Sequence, residues 1–126
     1  MLADEPHLKT WFGCFATRLD QQAEQQMPLP LADDELSELP EFIEALRGST
    51  VFLRDATCRI AYQDEDDLQL FINGCAWDIS GVAPELVKRV ANHRSLDVSE
   101  LRPYLAEEDN QVFLYELWKL QWYVID

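Results

Sequence analysis

The stretch LQLFINGCAWDI, residues 68–79, reads as a small β-hairpin. Hydrophobic residues flank Asn73-Gly74, and Trp77 follows three residues after the glycine. A two-residue type I′ turn needs positive φ at both central positions, which Asn and Gly tolerate best. The two arms, 68–72 and 76–79, are preceded by two more short runs rich in β-branched and aromatic residues, 51–54 and 58–63. Asp55-Ala56-Thr57 and the acidic run 64–67 supply the breaks between them.

Downstream of the hairpin the period changes to that of a helix. In GVAPELVKRVANHR, Val82, Ala83, Leu86, Val87 and Val90 share one side, with Ser80 placed as the N-cap. LDVSELRPYL predicts a short helix capped by Asp97, with Val98 and Leu101 inward and Pro103 bending or ending it. EEDNQVFLYELWKLQ predicts a longer helix that offers Val112, Leu114, Leu117 and Trp118 to the core, and WYVID closes the chain as a strand. Strands, then three helices, then a strand describe an α+β winged-helix domain of the helix-turn-helix class with a small antiparallel sheet.

Upstream, LPEFIEALRGS gives a helix with Pro40 in its first turn, Phe42, Ile43 and Leu46 on its apolar side, and Gly48 at its C-cap. The Gln- and acid-rich stretch ahead of it, broken by Pro28 and Pro30, reads as helix fraying into an extended linker. In LKTWFGCFATRL, Leu8, Trp11, Phe12, Phe15 and Leu19 fall on one helical face. Leaving such large side chains wet is costly, since burying each is worth roughly 1.5–3 kcal/mol. That face needs the C-terminal half or another chain to cover it. The division expected is a helical arm and linker over 1–48 and the winged-helix domain over 49–126.

The 126 residues fit one domain with an arm, and a hydrophobic content of 48% suffices for a core. No apolar run reaches the length of a membrane span, which takes about 18 residues. Acidic residues stand where a signal peptide would carry basic ones. Cys14, Cys58 and Cys75 are odd in number and contain no CxxC pair, which fits free thiols in a reducing cytoplasm. The expectation is a cytoplasmic protein without a membrane partner.

Chemistry is scarce. The two histidines are His7, near the free end, and His93, at the close of a helix where it would meet the terminal carbonyls. There is no HExxH, no paired Cys-His spacing and no glycine-rich phosphate loop. The five serines sit at apparent caps and turns, none in a nucleophile-elbow context. Carboxylates abound, yet none has an apolar neighbourhood that would raise its pKa. Asn73 and Gly74 read as turn formers, and Trp77, Trp118 and Trp122 as core anchors. No catalytic, cofactor-binding or metal-binding residue is assigned.

The charge of −14, from 24 acids against 10 bases, opposes nucleic-acid binding, which depends on Lys and Arg neutralising phosphates. The reading helix of the helix-turn-helix would be LDVSELRPYL, with Arg102 set against Asp97 and Glu100. From Ala83 onward there are five Lys/Arg and eight Asp/Glu. A helix in the major groove needs several basic or amide side chains on its exposed face.

The segment CRIAYQDEDDLQLFINGCAWDI resembles the opening of the C-terminal winged-helix domain of bacterial ribosomal oxygenases, cupin (JmjC-type) enzymes that hydroxylate an arginine of a large-subunit ribosomal protein. The matching positions are Arg59, Ala61 and Tyr62, then Phe71, Ile72, Asn73 and Gly74, then Ala76 and Trp77. LYELWKLQWYVID is similar to the family's closing helix and aromatic strand, with Gln121 where a glycine is usual; Cys75 stands where the family commonly has Glu. LKTWFGCFATRL and EFIEALRG are similar to the segment that joins barrel to winged helix and makes the homodimer. The resemblance therefore implies a dimer built on Leu8, Trp11, Phe12, Phe15 and Leu19.

It also implies Fe(II) and 2-oxoglutarate, held by a His-x-Asp…His triad and a basic residue in an N-terminal barrel; this sequence carries no His-x-Asp. The chain then reads as the non-catalytic C-terminal portion of a 2-oxoglutarate-dependent dioxygenase, serving dimerisation and the docking of a basic ribosomal protein to its acidic surface. The alternatives are a free-standing winged-helix peptide chaperone, whose small sheet accepts an added strand, and a DNA-binding regulator, which the charge disfavours.

Overall fold

The computed structural model describes residues 29–65 and 67–126. The elements run α1 (Leu39–Arg47), β1 (Val51–Arg54), β2 (Ile60–Gln63), β3 (Gln69–Ile72), β4 (Cys75–Trp77), α2 (Pro84–Asn92), β5 (Ser95–Asp97), α3 (Val98–Leu101), a 3₁₀ turn (Arg102–Ala106), α4 (Glu108–Lys119) and β6 (Tyr123–Ile125). This is an α+β winged-helix arrangement. Residues 1–28, and with them the aromatic face from Leu8 to Leu19, lie outside the described residues.

The strands divide into two antiparallel sheets of three. One has the order β2-β3-β4 and contains the hairpin; the other has the order β5-β1-β6. Residues 95–97 were expected to lead straight into a helix, but they form β5, which pairs Leu96 with Phe52 before the chain turns into α3. Its alternation hides one buried leucine, Leu96, between two exposed polar residues. Three residues are too few for that alternation to register as a period.

Phe52 and Tyr123 stack at 4.9 Å between ring centroids at the centre of the β5-β1-β6 sheet. Around them pack Leu86, Val87 and Val90 of α2, Val98 and Leu101 of α3, and Leu114 and Leu117 of α4, all fully buried. Helix α1, N-terminal to the expected division at residue 48, contributes Phe42, Ile43 and Leu46 to the same core. Pro40 opens α1 as the sequence predicts. Gly48 does cap it, but with φ −84°, so glycine's left-handed freedom is not what the site uses.

Several local readings are corrected. Ser80 does not cap α2; it sits in a turn with Asp78, and the N-cap is Ala83. The donor exposed there, the Ala83 N–H, goes to Oδ1 of Asn110 on α4 at 2.8 Å. Asp97 is the N-cap residue of α3, but its side chain makes no capping hydrogen bond. Val112 faces solvent, and the inward positions of α4 are Asn110, Phe113, Leu114 and Leu117. After Leu101 the chain tightens into the 3₁₀ turn, because Pro103 cannot donate to continue the α-helical ladder.

The stretch before α1 runs along α4. Leu31 N–H donates to the Lys119 carbonyl at 2.9 Å, and the Tyr115 hydroxyl donates to the Ser37 carbonyl at 2.8 Å.

Candidate functional site

The hairpin forms as its sequence demands. Asn73 and Gly74 take φ +50° and +87°, and register Ile72↔Cys75 leaves those two residues as the loop. Asn73 does more than turn the chain. Its N–H donates to the Arg59 carbonyl at 3.0 Å, and its Oδ1 accepts the Arg59 N–H at 2.8 Å. The hairpin tip is thus clamped to the entry of β2, which brings Arg59, Asn73 and Gly74 together.

The other hairpin positions serve different faces. Tyr62 pairs with Leu70 in the β2-β3 register, and Asn92 of α2 donates to its hydroxyl at 3.5 Å. Phe71 is fully buried, on the opposite face of β3 from Leu70 and Ile72, and stands apart from the main core cluster. Trp77 meets Trp122 at 5.5 Å and Phe113 edge-on at 6.2 Å, which ties β4 to α4 and to the approach to β6. Trp77, Trp118 and Trp122 are all half-buried against the core rather than within it.

Beside Trp77 the surface opens into a trough of about 440 Å³ between β4, the 78–82 segment and α4. Val112, Phe113 and Leu120 line it with Trp77, and Asp78, Asp109 and Glu116 stand on its rim. A second hollow of about 430 Å³ shares Trp77, Asp78, Ser80 and Val82 with the first and adds Asp67. Hydrogen bonds from the Ser80 hydroxyl and N–H hold the Asp78 carboxyl below the usual carboxylate range. Gly81, at φ +80°, lies under Asp109, whose carboxylate a Cβ at this position would meet. A larger residue at 81 would have to displace the Asp109 side chain and hold a left-handed backbone that glycine adopts freely.

A buried polar cluster lies elsewhere, under the β5-β1-β6 sheet. Arg54 donates from Nε to the Tyr123 hydroxyl at 3.0 Å and from Nη2 to the Val90 and His93 carbonyls at 2.7 and 3.2 Å. The Tyr123 hydroxyl in turn donates to the Val90 carbonyl at 3.0 Å. A cation at the C-terminal end of α2 satisfies carbonyls the helix leaves open and complements its dipole. The sequence assigned those carbonyls to His93; they are held by Arg54, four elements earlier in the chain. Burial pushes both the Tyr123 hydroxyl and the Cys58 thiol up to about 12. This cluster locks helix to sheet and presents nothing to solvent.

Among the described residues no three His, Cys, Asp or Glu side chains come together to hold a metal ion. The iron implied by the sequence resemblance has no such ligand set among the described residues. The helix placed to read DNA, α3, has only four residues before the 3₁₀ turn. No described helix is long and apolar enough to cross a membrane.

A family model described as ROXA-like winged helix matches residues 1–124. The chain belongs to that family. Solved structures agree on the shape of this ROXA-like winged helix. The ribosomal oxygenase YcfD of Escherichia coli superposes with a TM-score of 0.72 at 20% identity, over 96% of this chain and 31% of that one. YcfD in complex with cobalt and 2-oxoglutarate gives 0.72 at 22% identity, over 99% and 32%. The complex with cobalt and succinic acid gives 0.73 at 21% identity, over 99% and 32%. At such identities the likeness is one of fold. The chain spans about a third of the length of these relatives, matching their C-terminal portion. Among curated proteins none matches the chain by sequence.

Gln121 gains meaning here. It follows the C-cap of α4 with φ +58°, its N–H donates to the Trp118 carbonyl at 2.9 Å, and the Trp122 N–H reaches the Leu117 carbonyl at 3.1 Å. These bonds form a Schellman motif, whose left-handed residue is usually glycine. That is the glycine the resemblance led one to expect at this position. Gln121 adds a bond that glycine lacks, donating from Nε2 to the Leu29 carbonyl.

Three elements of the site escaped the sequence reading. Arg54 gave no signal, because its partners are backbone carbonyls and a tyrosine hydroxyl far away in sequence. Asn110 could have been found, since it begins the stripe Asn110, Phe113, Leu114, Leu117 at helical spacing. The trough depends on Val112 facing outward, which assigning Val112 to the core concealed.

Proposed function

We propose that this ROXA-like winged helix is the non-catalytic C-terminal portion of a 2-oxoglutarate-dependent ribosomal oxygenase, and that it serves dimerisation and the docking of a basic ribosomal protein. The single observation that carries the reading is the family match over residues 1–124, to which superposition on YcfD across nearly the whole chain adds the fold. The charge of −14 suits a basic protein partner and not nucleic acid. The dimer rests on the sequence face of Leu8, Trp11, Phe12, Phe15 and Leu19. The winged helix from about residue 49 would then be the unit that faces substrate.

The test is an immunoblot of the source organism's lysate with an antibody raised against this chain. A band far heavier than 14.6 kDa is expected, from a polypeptide that carries the barrel as well. A single band at 14.6 kDa would overturn the reading and favour the free-standing peptide chaperone. Light scattering on the purified chain addresses the arm. A dimer is expected, and Trp11→Glu with Phe15→Glu should make it a monomer.

A further inference from the structure

We infer that the trough between β4 and α4 is the docking site for an extended, Lys/Arg-rich polypeptide segment, which adds to the free edge of β4. This deepens the proposed docking role and rests on it only in taking the partner to be basic.

Three observations converge on the place. The first is the edge. In the order β2-β3-β4, strand β4 pairs with β3 alone among the described residues. The two-residue loop makes Ile72 and Cys75 the hydrogen-bonded pair, so Phe71 and Ala76 are a non-hydrogen-bonded pair. The N–H and C=O of Ala76 then point away from β3, and no described residue takes either of them. Ala76 is exposed and lines the trough. A peptide laid along β4 would satisfy both groups, as in β-strand addition.

The second is the floor. Trp77, Phe113, Val112 and Leu120 give an apolar bed beside that edge, and Val112 is among the few large hydrophobic residues left exposed, at 39%. An added strand presents alternate side chains to opposite sides, so every second residue would rest on this bed. The third is charge. Asp67, Asp78, Asp109 and Glu116 edge the two adjoining hollows, and neither lining contains a lysine or arginine. None of the four is in an ion pair with a described residue. Complementarity selects a cationic segment and rejects an acidic one.

The test is fluorescence anisotropy of the full chain with a fluorescein-labelled peptide of alternating lysine and valine, about twelve residues long at roughly 3.3 Å each. Binding of this peptide is expected, with none of its glutamate-valine counterpart. Glu116→Lys and Val112→Lys should each weaken it about tenfold or more, which is about 1.4 kcal/mol. Ala76→Pro should do the same, since it removes the edge N–H without touching the β3 ladder. Glu41→Lys, the same charge change on α1 and outside both hollows, should change it less than about twofold.

Absence of binding would overturn the site. So would equal weakening by Glu41→Lys and Glu116→Lys, the mark of diffuse attraction to an acidic protein. Neither result bears on the heavier immunoblot band, so the docking site can fail while the oxygenase reading stands.

Discussion

The two sheets solve opposite problems. The β5-β1-β6 sheet turns one face into the core, where Phe52 and Tyr123 stack and buried Arg54 ties it to the end of α2. It leaves Leu53 and Val124 exposed on the other. In the β2-β3-β4 sheet, β4 has no second partner strand among the described residues. That strand, paired with β3, is exposed at Cys75 and Ala76 and meets Trp122 and Phe113 through Trp77. The difference teaches where to look in this molecule. The side-chain polar groups of Arg54 and Tyr123 are committed to one another and to the α2 carbonyls, whereas the Ala76 N–H and C=O on β4 have no partner among the described residues.

If the contrast is right, the largest effect should come from the closed sheet. Arg54→Ala removes the donor to the Ala91 carbonyl and the Tyr123 hydroxyl, and leaves the Val90 and His93 carbonyls to the Tyr123 hydroxyl alone. A loss of about 3–4 kcal/mol is expected in urea unfolding, because bonds to charged groups and stranded buried acceptors both count. Arg54→Lys should recover part of it, as one ammonium cannot reproduce the fork. A loss under about 1 kcal/mol would break the comparison.

Next in size is Asn110→Ala, which strips partners from the Ala83 N–H and the Tyr104 carbonyl. About 2 kcal/mol is expected in the same measurement.

The hairpin tip should be less sensitive. Asn73→Ala removes one side-chain bond to the Arg59 N–H and places alanine at φ +50°. Together these should cost about 1–2 kcal/mol. On the open edge Val112→Lys should move stability by less than about 0.5 kcal/mol. Thermal unfolding of all five substitutions would rank them, and a Val112 effect as large as that of Asn110 would show that the trough is part of the core.

The buried groups around Arg54 also set a pH dependence. Cys58 and Tyr123 beside Arg54 are shifted from 9.0 and 10.0 to about 12 by burial. A raised acid pKa in the folded state means that the unfolded chain loses its protons first as pH rises. Stability should therefore hold below about pH 9 and decline between about pH 9 and 12. Cys58→Ala should flatten part of that decline. Thiol labelling at pH 8 completes the contrast: Cys75, which is exposed, should react with Ellman's reagent, and buried Cys58 should not until the chain unfolds.

Periodic features were legible in the sequence and long-range ones were not. Asn73-Gly74 announces its turn, because the required φ values select those residues. Leu86, Val87 and Val90 announce α2 through their spacing. By contrast Ser80 looked like an N-cap, yet the donor it would have served is met by Asn110, 27 residues away from Ala83. His93 looked like the partner of the α2 carbonyls, yet Arg54 reaches them from a strand 36 residues before Val90. Such pairings leave no local pattern. The hairpin positions were readable as a motif, but the trough beside them depends on how α4 is rotated, and Val112 is where that rotation was misjudged.

The central claim is that oxygenase chemistry is joined to this winged helix and does not reside in it. The most direct measurement isolates the native polypeptide with the antibody and compares it with this chain, each supplied with Fe(II), 2-oxoglutarate and unmodified ribosomal proteins. The account predicts succinate release, and a ribosomal protein heavier by about 16 Da for the one added oxygen atom, from the native polypeptide alone. Succinate release by this chain on its own, or none from the native polypeptide, would contradict it.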